Sequence, residues 1–155
     1  MTGAEKLPAR VADAFEQRFG IGVIEAMGMT ECASVVFCNP QDASQRKYGT
    51  PGLPCGVQAR VVAVESGEVL PDNATGELQL CGDNVMAGYW NAPDKTAEAL
   101  TPDGWLRTGD LGHRDSDGFY FVTGRIKELI IKGGENIAPR EIDEALLTHP
   151  AVLEA

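Results

Sequence analysis

Trp105-Leu106-Arg107-Thr108-Gly109-Asp110 ends in a carboxylate beside a glycine, and fourteen residues after Asp110 the segment Gly124-Arg125-Ile126-Lys127-Glu128-Leu129 begins. An ionised carboxylate only accepts hydrogen bonds, which suits the paired hydroxyls of a sugar, and the adjacent glycine lets such a group approach the backbone closely. Arg125 and Lys127 then place two cations within three residues of each other, where anionic oxygens can be met by charge-assisted bonds. The combination suits a nucleotide.

The average field of the chain opposes such a ligand. A net charge of -10 repels phosphates and disfavours nonspecific binding to nucleic acid or to an anionic membrane, so an anionic ligand requires a local exception. Gly124 to Arg140 is that exception, with four cations (Arg125, Lys127, Lys132, Arg140) against two anions (Glu128, Glu135). The 155 residues amount to about one domain and can bury roughly two thirds of the unfolded surface. Hydrophobic content of 43% beside 23% charged residues argues against disorder, and no apolar run approaches the roughly 18 residues of a membrane span. Met1-Thr2-Gly3-Ala4-Glu5-Lys6 lacks a basic stretch leading into an apolar one, so no secretory signal is read and the expected location is cytoplasmic. Cys32, Cys38, Cys55 and Cys81 include no Cys-x-x-Cys knuckle and are expected as buried or half-buried free thiols. With only His113 and His149, no histidine-based metal site is expected.

The elements that must position the two segments follow from periodicity and punctuation. Apolar residues at 7, 11, 14 or 15 and 19, with Pro8 near the start and Gly20 beyond the end, predict an amphipathic helix. Ile21 to Ala26 reads as a short buried strand, and the turn Gly28-Met29-Thr30-Glu31 then falls at its carboxyl end, where an open α/β sheet meets ligands. Beyond the turn-rich connector Tyr48 to Pro54, strands are predicted over Val57 to Val64 and Glu77 to Cys81. A short helix is predicted over Asn91 to Leu100, and Asp115-Ser116-Asp117-Gly118 supplies a hairpin turn into Phe119 to Val122. Glu128 to Lys132 reads as a strand, Gly133-Gly134 as a tight turn, and Pro139 to Leu147 as a helix closed by Pro150. The expected fold class is α+β in three parts. Residues 1–45 form the edge of an α/β subdomain, 46–126 a small β-barrel-like subdomain, and 127–155 the start of a mixed α+β C-terminal subdomain.

Six motifs stand in the order and approximate spacing of one superfamily. They are Met27-Gly28-Met29-Thr30-Glu31, Tyr48-Gly49-Thr50-Pro51-Gly52, Gly76-Glu77-Leu78, Gly88-Tyr89-Trp90, Trp105 to Asp110, and Gly124-Arg125-Ile126-Lys127-Glu128-Leu129-Ile130. In these the chain resembles, over essentially its whole length, the adenylate-forming enzymes: acyl-CoA synthetases, peptide-synthetase adenylation domains and luciferases. The resemblance implies ATP, Mg2+ and coenzyme A as cofactors and a carboxylic acid as substrate; from charge and hydropathy, no nucleic acid partner and no membrane span are expected.

Residue by residue, Thr30 resembles the threonine that donates to ATP phosphates, and Glu31 the glutamate that holds magnesium, a hard cation that takes oxygen ligands. Standing alone, such a pair is more often a helix cap or turn; the surrounding motifs reverse that reading. Asp110 resembles the aspartate that binds the ribose hydroxyls, with an ordinary Gly-Asp turn as the alternative. Arg125 resembles the arginine near ribose and phosphates, with a surface ion pair as its alternative. Met27 and Gly28 occupy the adenine-side position, where the family commonly has an aromatic residue and this chain has a thioether. Lys127 resembles the hinge residue about which the C-terminal part rotates between the two half-reactions. Lys132, Gly133 and Gly134 resemble the loop lining the pantetheine tunnel, a plain hairpin turn being the alternative.

The Lys127-to-Pro139 run resembles acyl-CoA synthetases more than peptide-synthetase domains. The expected activity is therefore an ATP-dependent acid-CoA ligase that forms an acyl-adenylate and then a thioester. The upstream phosphate loop and the C-terminal lysine of such enzymes have no counterpart in the 155 residues, so the chain is expected to be a fragment that is inactive alone. A noncatalytic nucleotide-binding or assembly fragment, or part of a peptide-synthetase domain, are the alternative readings.

Overall fold

The computed structural model describes residues 1–3, 7–132, 135–137, 139–149 and 151–152. Helix α1 spans Ala9–Phe19, preceded by Pro8 and closed by Gly20, which takes the left-handed conformation at φ 66° and donates its amide to the Glu16 carbonyl. Ala12 is fully buried, while Val11, Phe15 and Phe19 remain exposed. What holds the helix is its polar side. The Glu16 carboxylate accepts from the Val23 amide at 3.0 Å and from the Tyr48 hydroxyl, with the Arg46 guanidinium 3.8 Å away.

The strand expected over residues 21–26 lies further along. Strand β1 is Ala26–Met29, while Ile21 is exposed and residues 21–25 contribute one parallel bridge, Glu25 with Thr2. An apolar run needs a neighbouring backbone to become a ladder, and here that neighbour begins later in the chain. β1 pairs antiparallel with β2 (Ser34–Cys38), which pairs with the two-residue β3 (Leu53–Pro54). The expected turn is correspondingly shorter, a 3-10 turn over Thr30–Cys32.

The second sheet has the order β4 (Gln58–Val62), β5 (Gly76–Cys81), β6 (Leu106–Arg114), β7 (Tyr120–Arg125), all antiparallel. It is open rather than a closed barrel: among the described residues β4 and β7 do not pair with each other. Helix α2 (Pro93–Ala99) packs beside β6. The β6–β7 turn forms as its sequence dictates, Asp115 Oδ1 accepting the amides of Asp117 at 3.0 Å and Phe119 at 2.9 Å.

One core joins the two sheets. Cys32, Val36 and Phe37 from the first meet Val61, Leu78, Leu80, Leu106 and Tyr120 from the second. β5 is central enough to be buried on both faces: Leu78 and Leu80 enter the core while Glu77 and Gln79 lie buried on the opposite side. Burying those polar groups is tolerable because they are partnered. Gln79 Nε2 donates to Glu77 at 3.0 Å, and Gln79 Oε1 accepts from Arg60 Nε and Nη2 at 3.0 and 2.8 Å, the guanidinium lying 4.1 Å from the Trp105 ring centroid.

A buried polar joint also crosses between the sheets. Glu25 accepts the Gly49 amide at 2.9 Å, Asn39 donates to the Thr50 carbonyl at 2.7 Å, and Thr50 donates its hydroxyl to the Tyr120 carbonyl. Gly52 closes the joint at φ 107°, where an added Cβ would stand 2.3 Å from the Cys38 carbonyl, so only glycine fits.

After β7 the chain makes a 3-10 turn over Ile126–Glu128, then β8 (Ile130–Lys132) pairs with β9 (Glu135–Ile137), and α3 runs from Pro139 to Leu147. The strand expected from Glu128 therefore starts two residues later. No helix among the described residues is long and apolar enough to cross a membrane. Cys32 is buried and Cys38 and Cys81 half-buried as expected, but Cys55 is exposed, because it follows the short β3 at the sheet margin.

Candidate functional site

Asp110 sits on a bulge. Between the pairs Gln79–Arg107 and Glu77–Leu111, β5 advances two residues while β6 advances four. Gly109 absorbs the excess at φ 73°, and an added Cβ there would meet nothing within 4 Å. The conformation of the bulge thus calls for glycine at this position. The displaced backbone is satisfied by Thr108, whose hydroxyl donates to the Leu78 carbonyl at 2.8 Å and accepts the Asp110 amide at 3.0 Å. The alternative of an ordinary Gly-Asp turn falls away, because the segment is strand on both sides of the bulge.

The bulge leaves Asp110 4% exposed and directly opposite Arg125 of β7, whose Nε lies 3.3 Å from Oδ1. Arg125 itself is an open group, its side chain 68% exposed. Burial pushes the Asp110 carboxyl above its ordinary value; Arg125 opposes this and Glu128 adds to it. A buried, acceptor-only group with an exposed cation at its mouth can take hydroxyl donors while the cation reaches toward attached anionic oxygens.

Thr30 and Glu31 open the 3-10 turn that follows β1, with Thr30 exposed and Glu31 half-buried. Cys32 anchors the turn in the core, and Ala33 ends it at φ 60°. Glu31 is held by a distant loop: its carbonyl accepts the Met86 amide at 2.7 Å and its Oε1 accepts the Tyr89 hydroxyl at 2.9 Å. Among the described residues no three His, Cys, Asp or Glu side chains converge on a common point. One carboxylate with an oxygen to spare fits magnesium, which keeps waters and takes phosphate oxygens for its remaining positions. Met27 is half-buried and packs on the core, and Gly28 lies at a register shift where an added Cβ would stand 2.9 Å from the Ser34 carbonyl.

Lys127 is exposed in the turn after β7, and Lys132 is exposed at the end of β8. Gly133 and Gly134 lie outside the described residues. The structure thus brings Asp110 and Arg125 together, but no hydrogen bond or ion pair among the described residues joins them to Thr30 or Glu31. Sequence reasoning gave no role to Thr108 or Tyr89, although both stand inside motifs singled out there, and a hydroxyl within such a motif is the signal that marks them.

Residues 1–90 match the family model described as AMP-binding enzyme. The chain belongs to this family of adenylate-forming enzymes. Its relatives are CoA ligases. Sulfoacetate--CoA ligase of Cupriavidus necator is 63% identical over 149 residues, covering 96% of this chain and 29% of its own length. Long-chain-fatty-acid--CoA ligase of Bacillus subtilis is 39% identical over 99% of this chain and 27% of its own. Among solved structures, ATP-bound MatB from Rhodopseudomonas palustris superposes with a TM-score of 0.90 at 38% identity, over 98% of this chain and 30% of that one. O-succinylbenzoate coenzyme A synthetase from Bacillus subtilis, in complex with ATP and a magnesium ion, gives 0.84 at 35% identity over 98% of this chain and 31% of that one. The chain spans less than a third of each of these proteins.

Proposed function

We propose that this chain forms part of an ATP-dependent carboxylic acid-CoA ligase. The acid's carboxylate attacks the α-phosphorus of ATP to give acyl-adenylate and pyrophosphate, and the thiol of coenzyme A then displaces AMP to give the thioester. The observation that carries this reading is the buried Asp110 carboxylate facing the exposed Arg125, in a chain whose named relatives are CoA ligases.

Asp110 accepts the ribose hydroxyls, and Arg125 meets the adjoining phosphate oxygens. Thr30 donates its hydroxyl to a phosphate oxygen, and Glu31 offers a carboxylate oxygen to magnesium. When bound, magnesium neutralises phosphate charge as it develops. Gly28 and the uncovered part of Met27 border the adenine. Residues 1–45, 46–126 and 127–155 belong to successive subdomains, Lys127 is the hinge before the last, and Lys132, Gly133 and Gly134 border the path of the pantetheine arm. The relatives' activity favours coenzyme A over a peptide-synthetase acceptor.

The 155 residues alone lack the upstream phosphate loop and the C-terminal lysine that such ligases use, so the purified chain gives no ATP–pyrophosphate exchange, while the complete ligase containing it does. Robust exchange by the 155-residue chain would overturn the dependence on those elements. Absence of both exchange and thioester formation in the complete protein, across a panel of carboxylic acids, would favour a noncatalytic nucleotide-binding module.

A further inference from the structure

Tyr89 is 40% exposed, so core packing accounts for little of its placement, yet it is held at several points. Its amide donates to Thr96 Oγ1 at 2.9 Å, and that hydroxyl donates in turn to the Ala92 carbonyl at 3.0 Å, tying the residue to the first turns of α2. Gly88 lets the loop lie against the same threonine: an added Cβ would stand 2.8 Å from Thr96 Cγ2. The far end of the ring then donates its hydroxyl to Glu31 Oε1 at 2.9 Å, across 58 positions of sequence. Three residues before Tyr89, the Met86 amide bonds the Glu31 carbonyl at 2.7 Å, so one loop grips both the backbone and the side chain of Glu31.

We propose that Tyr89 is a positioning residue for the Glu31 carboxylate, occupying one oxygen so that the other is presented to the magnesium–ATP complex. This rests on the assignment of Glu31 to magnesium made above. A free glutamate side chain samples many rotamers, and fixing it before the cation arrives lowers the entropy lost on binding. The hydrogen bond also removes one of the two carboxylate oxygens as a competing ligand, which favours monodentate contact with a small cation of strict octahedral geometry. Groups that orient a ligating side chain commonly change metal affinity by an order of magnitude or more when removed.

The test uses the complete ligase carrying Tyr89→Phe, Glu31→Gln and both changes, with Mn2+ in the presence of ATP followed by electron paramagnetic resonance and AMP binding measured without metal. Tyr89→Phe weakens Mn2+ binding about tenfold, raises the Mg2+ concentration needed for half-maximal exchange, and leaves metal-free AMP binding and the melting temperature unchanged. Glu31→Gln weakens Mn2+ binding further, and the double variant is no worse than Glu31→Gln alone. If Glu31→Gln impairs Mn2+ binding while Tyr89→Phe does not, or if the two effects add, the role of Tyr89 falls and that of Glu31 stands. If Glu31→Gln leaves Mn2+ binding intact, the magnesium assignment falls and takes the proposal with it.

Discussion

Replacing Asp110 with asparagine separates what the residue does for a ligand from what it costs the fold. The carboxylate is 4% exposed, but its partner Arg125 has a side chain 68% exposed, so their attraction is screened by water and contributes on the order of 0 to 1 kcal/mol. Burial outweighs it, which is why the carboxyl is raised above its ordinary value. Because the folded-state value lies above the unfolded one, the folded chain binds the proton more tightly. The stability this confers is fully present below the unfolded value and is lost as pH rises through the folded one.

At pH 7 the wild type therefore carries an ionised, poorly solvated group that asparagine replaces with a neutral one of the same shape. The variant should be more stable by about 1 kcal/mol, raising the melting temperature by roughly 2–4 °C for a chain of this size. The advantage should shrink to nothing below the titration window. Binding moves the other way. Asparagine keeps an acceptor oxygen but loses the charge assistance, about 1 to 1.5 kcal/mol for each of two ribose hydroxyls, so adenylate-analogue affinity should fall roughly 30- to 150-fold. Thermal melts of the 155-residue chain from pH 3 to 8, with titration calorimetry on the complete ligase, measure both. A variant less stable than wild type at pH 7, or a stability difference that does not change with pH, would refute the burial argument; unchanged affinity would remove Asp110 from the ribose.

Thr108→Val keeps the side chain's shape but strips the Leu78 carbonyl and the Asp110 amide of their shared partner. Denaturant unfolding should show a loss of about 1–3 kcal/mol, with Thr108→Ser close to wild type. Gly52→Ala drives a Cβ to 2.3 Å from the Cys38 carbonyl at φ 107° and should cost about 3 kcal/mol or more. Gly104→Ala, at φ 85° with nothing within 4 Å, bears only conformational strain of about 1–2 kcal/mol; urea midpoints that fail to separate the two would undo the steric argument.

The elements readable from sequence are those whose causes are local. Pro8 and Gly20 bracket α1, Pro139 opens α3, and the Asp115 side chain closes its own turn; each acts within a few residues of where it stands. Ile21 to Ala26 misled because an apolar run records a tendency to be buried and not the position of a pairing strand. Asp110 and Arg125 could be singled out from the motifs that hold them, but their direct opposition across β6 and β7 depends on a hairpin register. The bulge that seats Asp110 was not legible, since its extra residues are visible only when β5 is laid beside β6. The Glu31–Tyr89 bond was hidden for the same reason: nothing local links positions 58 apart.

The buried joint from Glu25 through Asn39 and Thr50 to Tyr120 bears on how this chain comes apart. Glu25 and Asn39 flank β1 and β2, Thr50 lies in the connector and Tyr120 on β7, so separating the two sheets would strand polar groups in the apolar interior, besides parting Phe37 from Tyr120. Partial melting is thereby penalised, and the two sheets should behave as one cooperative unit when followed by hydrogen exchange or calorimetry.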